Sequence, residues 1–264
     1  MTGTALIGVP TVLYGHYVNG NELEVVRLAI RIGSWPEGAP PLKVGFLTDL
    51  HGDEEQSVDR AHRSAVMVMA ESPDIVLLGG DYVSRYSHEW IDPMISAIAP
   101  VARAPLGAAG VFGNHDWWTH RIVEIAAKLQ QVGIMPLQNR SFEVPKRPGV
   151  WVVGVDSATD GHEEPGEALI GVPEDAVKIL LVHEPDIADY MPRGFALQLS
   201  GHSHAGQVRV FGQPIITPQL AKRYKQGLEQ AQDHPVYVSR GVGMVQPAIR
   251  FDCPPEVTVL TISG

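Results

Sequence analysis

Five short apolar runs in this chain stop abruptly at an aspartate, an asparagine or a histidine. Residues 42–48 (LKVGFLT) lead into Asp49-Leu50-His51, and residues 74–78 (DIVLL) into Gly79-Gly80-Asp81. Residues 107–112 precede Gly113-Asn114-His115-Asp116, and residues 176–182 precede His183-Glu184-Pro185-Asp186. Residues 195–199 open onto SGHSHAGQ, with His202 and His204 one residue apart. A run of four to eight apolar residues bounded by turn formers reads as a buried strand. In open α/β sheets, functional groups gather beyond the carboxyl ends of strands, so termini far apart in sequence meet in space. In extended backbone, residues two apart point the same way, which puts His202 and His204 on one side.

The segments between these runs fill in the fold class. Residues 24–32 (EVVRLAIRI) alternate apolar and polar, the pattern of a half-buried strand. Residues 57–71 read as a helix with Ala61, Ala65, Val66, Val68 and Met69 inward, stopped by Ser72-Pro73. Residues 89–102 and 119–131 read as two more helices, the latter with Ile122, Ile125, Ala126 and Leu129 inward. Strand–helix repeated three times predicts a largely parallel sheet. Further on, residues 134–137, 141–144 and 150–155 read as consecutive strands, and residues 159–171 as a polar surface loop. Residues 208–211 and 215–217 flank a hairpin turn at Gly212-Gln213, residues 222–233 are polar and irregular, and residues 236–239 and 257–262 close the sheets. The expectation is an α/β fold with two sheets and outer helices. Residues 1–40 form an N-terminal segment with an edge strand, and residues 41–264 form a single domain.

Composition removes several alternatives. A chain of 264 residues with 44% apolar and 19% charged residues has enough material for one substantial core. A net charge of −10, with no cluster of Lys or Arg, argues against a nonspecific nucleic-acid surface. Cys253 is the single cysteine, so neither an intrachain disulfide nor a thiolate cage is available. Any metal must be held by imidazole, carboxylate and amide. Residues 5–14 are apolar but too short to span a bilayer and lack a basic flank. This favours a cytoplasmic protein, with the remnant of a membrane anchor as the alternative.

The set Asp49-x-His51, Gly80-Asp81, Gly113-Asn114-His115-Asp116, His183 and Gly201-His202-x-His204 resembles the calcineurin-like metallophosphoesterase superfamily, with all five blocks in the family's order. LLVHEPD, LSGHSHAGQ and VSRGVG resemble the bacterial branch of predicted phosphodiesterases, often membrane-anchored, that includes UDP-diacylglucosamine pyrophosphohydrolases. The resemblance implies an α/β/β/α sandwich and two divalent cations, manganese first and iron or zinc as alternatives. One cation is expected on Asp49, His51 and His204, the other on Asn114, His183 and His202, with Asp81 bridging. A hydroxide between the cations would be the nucleophile. His115 is expected to protonate the leaving oxygen or stabilise charge there, with Asp116 orienting it or raising its pKa. Trp117, Trp118, Arg240 and Arg85 are candidate substrate contacts. The expected substrate is a small-molecule or lipid-linked phosphoester, with peripheral membrane association as a further expectation; alternatives are a pyrophosphate hydrolase at a membrane surface and a catalytically weak binding scaffold. Two departures stand out: Ala205 replaces the branch's usual glycine, and Tyr82-Val83 follows Gly80-Asp81 where protein phosphatases carry Asp-Arg-Gly.

Overall fold

Each apolar run becomes a strand because it buries both of its faces. A computed structural model describes residues 20–264; the apolar residues 5–14 lie outside the described residues. The first sheet runs in the order β1 (Glu24–Arg31), β14 (Glu256–Ser263), β2 (Leu42–Leu47), β3 (Ile75–Leu78), β4 (Ala108–Gly110), β5 (Ile134–Pro136). β2 to β5 are mutually parallel, and β14 joins β2 antiparallel. The second sheet runs β12 (Gly227–Gln230), β13 (Pro235–Val238), β9 (Phe195–Ser200), β8 (Val177–Leu181), β7 (Val150–Gly154), β6 (Arg140–Glu143). Its four central strands are parallel and its two edge strands antiparallel.

The period of two sorts side chains between layers. Leu42, Val44, Phe46, Ile75 and Leu77 meet Val152, Ile179, Leu181, Leu197 and Leu199 between the sheets. Leu47, Val76 and Leu78 face the other way, onto α1 (Glu55–Ala70), α2 (Ile91–Ile98) and α4 (Ile122–Gln131). Val153, Leu180 and Phe195 cover the outer face of the second sheet, against only a one-turn helix, α5 (Pro165–Ala168), and a 3₁₀ turn (Pro185–Asp189). Near-continuous apolar strands belong to sheets covered on both sides, and that is the arrangement here.

Several boundaries differ from the sequence expectation. The helix expected over 119–131 begins earlier, as α3 (Asn114–Trp118), and breaks before α4 at His120, which has a φ of 57°. The helix expected over 89–102 is α-helical only in α2, with 3₁₀ turns on both sides. Val66 is 50% exposed, and the inward position on α1 is filled by Arg60. β5 joins the first sheet, not the strands that follow it. Residues 222–233 contain β12, whose side chains alternate outward while its backbone pairs with β13.

Candidate metal centre

The carboxyl ends of β2, β3 and β4 lie beside those of β8 and β9, so side chains from both sheets converge. Backbone bonds lock the turns together: Asp49 N donates to Gly80 O, Leu50 N to Asp81 O, and Gly201 N to His183 O. Side chains also cross between the sheets, among them the Asp49 carboxylate, which accepts from His202 N at 3.0 Å. Asp49, His51, Asp81, His202 and His204 all hold a left-handed backbone, with φ between 48° and 65°. That conformation costs a non-glycine residue about 1–2 kcal/mol, and it survives where surrounding structure over-determines it, typically at functional sites. A side chain on Gly113 would collide with the Asp81 carboxylate, and one on Gly201 with that of Asp49.

The ligand tips form overlapping groups. Asp49, His51 and His204 offer atoms within 4.8 Å of one another, and so do Asp49, Asp81 and His183. His51 Nε2 lies 3.0 Å from His204 Nε2, and His204 Nε2 lies 3.3 Å from Asp49 Oδ1. Asp81 Oδ2 is 3.2 Å from His183 Nε2 and 3.5 Å from His51 Nε2, which puts this carboxylate between the two groups. His183 Nδ1 donates to Gly79 O at 2.7 Å, which turns Nε2 toward Asp81 Oδ2. His202 Nε2 donates to Gln219 O at 2.7 Å, which leaves Nδ1. Asn114 Oδ1 is buried and has no partner. Buried polar atoms are normally satisfied. Nitrogen and oxygen atoms aimed together, without sulfur, are what a hard or borderline divalent cation takes.

Electrostatics divide the cluster: burial would lower His183, but the Asp81 and Asp49 carboxylates outweigh it and raise that ring well above the usual histidine range. Burial, then neighbouring imidazoles, hold His51 well below the usual histidine range, and burial with His51 beside it does the same for His204. Both are therefore neutral bases. Burial raises Asp49 to about 6, with His183 opposing and Asp81 adding to the rise. Asp81 goes the other way: burial would lift it, but the charges of His183 and His115 outweigh burial and hold it well below the carboxylate range.

Three expected roles need correction. Asp116 does not touch the His115 ring: its oxygens accept from Asp81 N at 2.8 Å, Tyr82 N at 2.8 Å and Gly113 N at 3.0 Å. It therefore staples the first turn of α3 to the Asp81 turn. Burial and then the Asp81 charge push its carboxyl up to about 8. The His115 ring instead receives Arg85 N–H at Nδ1, 3.1 Å away. Arg240 is held by Glu256 at 2.8 Å and Glu24 at 2.7 Å, away from the cleft. Trp117 stacks on His162 at 3.5 Å and donates to Asp156, so the aromatic wall of the cleft is Trp118. Ala205, where the branch usually has glycine, holds a φ of 47°, a left-handed backbone that glycine adopts without strain and a methyl-bearing residue does not.

Two supporting residues carried no sequence signal. Arg250 is fully buried and donates to the carbonyls of Arg240, Gly241, Gly243 and Cys253. It thereby shapes the loop whose Gly243 N donates to Asp49 O. Glu184, also fully buried, accepts from Ser157, Ala158 and Thr159 and sets the loop that brings Thr159 to the cleft. The cleft above the cluster has a volume of about 1000 Å³ and is open to solvent.

Known proteins bear the same marks. Residues 42–206 match the family model of the calcineurin-like phosphoesterases. The chain is 32% identical over 257 residues to phosphodiesterase YaeI of Escherichia coli K12, covering 94% of this chain and 92% of that protein. It is 28% identical over 264 residues to the uncharacterized metallophosphoesterase YkuE of Bacillus subtilis 168, covering 95% and 89%. A dimetal phosphatase from Danio rerio aligns with a TM-score of 0.46 at 10% identity, covering 77% of this chain and 88% of that one. A family match over more than half of the chain, joined to a relative above 30% identity matched nearly end to end, makes this protein a member of the calcineurin-like phosphoesterases, which hydrolyse phosphoesters with divalent metals.

Proposed function

We propose that the protein is a phosphodiesterase working with two divalent cations, manganese in the first place and iron or zinc as alternatives. The observation that carries this reading is the pair of overlapping ligand groups that share Asp49 and are joined through Asp81 at the floor of an open cleft. Asp49, His51 and His204 would hold one cation; His183, His202 and Asn114 the other, with Asp81 between them. Bound there, the cations supply Lewis acidity, which lowers the pKa of water and offsets charge on phosphoryl oxygens.

The protein's own groups do the rest. Arg85 N–H occupies His115 Nδ1, so the neutral ring carries its proton on Nε2. The ring stands edge-on to His51 with centroids 4.7 Å apart, and His115 shares a ligand group with His51 and Asp81. From there its Nε2–H donates a hydrogen bond to the departing oxygen and offsets the charge that develops on it. Trp118, against the His115 ring at 4.8 Å, walls the leaving-group side. The name of the YaeI relative supports a diester as substrate. The parent protein with Mn²⁺ should hydrolyse bis(p-nitrophenyl) phosphate, and Asp81→Ala or His202→Ala should abolish turnover. Parent-level rates in either variant would remove the reading.

A second feature supports peripheral contact with a lipid surface. The hairpin of β10 (Arg209–Val210) and β11 (Gln213–Pro214) beside the cleft exposes Phe211 at 99% and Ile216 at 75%. Among the described residues, no helix is long and apolar enough to cross a membrane. Flotation with liposomes checks the surface contact: co-migration that is lost in Phe211→Ser is expected, and an absence of co-migration overturns it.

A further inference from the structure

Arg85 is the one lysine or arginine lining the cleft among the described residues. Its guanidinium lies 4.6 Å from the Tyr86 ring centroid and 4.9 Å from that of Trp118. Among the described residues no carboxylate is paired with it, although exposed arginines elsewhere in this chain, such as Arg27 and Arg223, are paired with Glu71 and Asp189. Tyr86 holds a φ of 65°, an outlier for a bulky side chain, beside the arginine its ring supports. Rings satisfy the faces of a guanidinium by cation–π contact and leave its N–H edge for a planar anion. Holding the side chain in advance removes part of the entropy cost of binding.

The position relative to the cluster decides what that anion is. Arg85 belongs to none of the ligand groups: its backbone N–H is bonded to His115 Nδ1, and its guanidinium rests against the rings of Tyr86 and Trp118. A row of rings runs outward from the cluster, from His51 to His115 edge-on at 4.7 Å and from His115 to Trp118 tilted at 4.8 Å, and the guanidinium lies against the last of them. A phosphodiester centred on the cluster therefore places one of its substituents, not its scissile phosphate, at Arg85. Resting on the phosphodiesterase reading above, we propose that Arg85 receives a second anionic group, a phosphate or carboxylate, carried on one arm of the substrate. The protein thus selects diesters that bear an extra negative charge.

A matched pair of chromogenic diesters tests this: thymidine 5′-(p-nitrophenyl phosphate), and the same ester with an added 3′-phosphate. A bidentate charge-assisted contact is worth about tenfold to a hundredfold. The parent should prefer the 3′-phosphorylated ester by that factor in kcat/KM. Arg85→Met, which keeps length and apolar contact with the rings, should erase the preference, and Arg85→Lys should keep part of it. A parent without the preference, or an R85M protein that retains it, overturns the proposal. Calorimetric affinities for thymidine 3′,5′-bisphosphate and thymidine 5′-monophosphate on Mn²⁺-loaded protein read the same contact without turnover. Equal affinities in the parent refute the Arg85 assignment even if the protein hydrolyses neither ester, whereas failure of hydrolysis alone refutes the phosphodiesterase reading.

Discussion

His115 shows how one backbone bond sets a side chain's chemistry. With Nδ1 taken by Arg85 N–H, the neutral ring presents one hydrogen-bond donor, the N–H at Nε2. Its removal should matter most when the departing oxygen is a poor leaving group. His115→Gln is expected to lower kcat about a hundredfold or more on an alkyl diester and much less on a p-nitrophenyl diester. Equal losses on the two would refute the role of His115 at the leaving oxygen. Ala205 poses a different single-residue question. It is fully buried at a φ of 47°, so its methyl is both packed and strained. Ala205→Gly should stay within about 1 kcal/mol of the parent, since relief of strain offsets a lost methyl contact. Ala205→Val should cost about 2 kcal/mol or more through crowding at the same φ. Urea midpoints measure both.

At the scale of elements, Arg250 gathers the carbonyls of the loop over residues 240–243. Arg250→Met removes the donor for the carbonyls of Arg240, Gly241 and Gly243 and leaves buried acceptors unsatisfied. A stability loss of about 3 kcal/mol is expected, together with weaker metal retention by elemental analysis, because Gly243 N braces Asp49. Neither Arg250 nor Glu184 was legible in the sequence. Their partners are carbonyls, amides and hydroxyls of other segments, and no spacing rule connects a lone arginine to them. The ligand residues were legible because each stands immediately after an apolar run, where strand ends put it. β12 was missed for the opposite reason: an edge strand satisfies its backbone through β13 while its side chains face water, so GLEQ has no apolar period. Asp116 was recognised as part of the site but given the wrong partner, since adjacency to His115 in sequence puts the two side chains on different sides of α3.

The molecule as a whole carries buried imidazoles whose titration opposes folding at low pH. His234, remote from the metal cluster, is buried beside Phe195 and Gln198, and burial lowers its pKa below the ordinary value. The folded state then binds fewer protons than the unfolded one below about pH 6.5. Its contribution is complete above that pH and is lost as pH falls toward the depressed folded value. Between pH 7.5 and 5.5, the urea midpoint of His234→Leu should therefore drop less than that of the parent; an equal drop would contradict the assignment. A broader consequence follows from the hydrogen bonds that His202 N makes to the Asp49 carboxylate across the two sheets. Ligands arise from β2, β3 and β4 on one side and from β8 and β9 on the other, so cations seated there would act as a rivet through both layers. Amides at the two facing rims should then open to hydrogen exchange as one unit in the loaded protein and as two separate units after chelation.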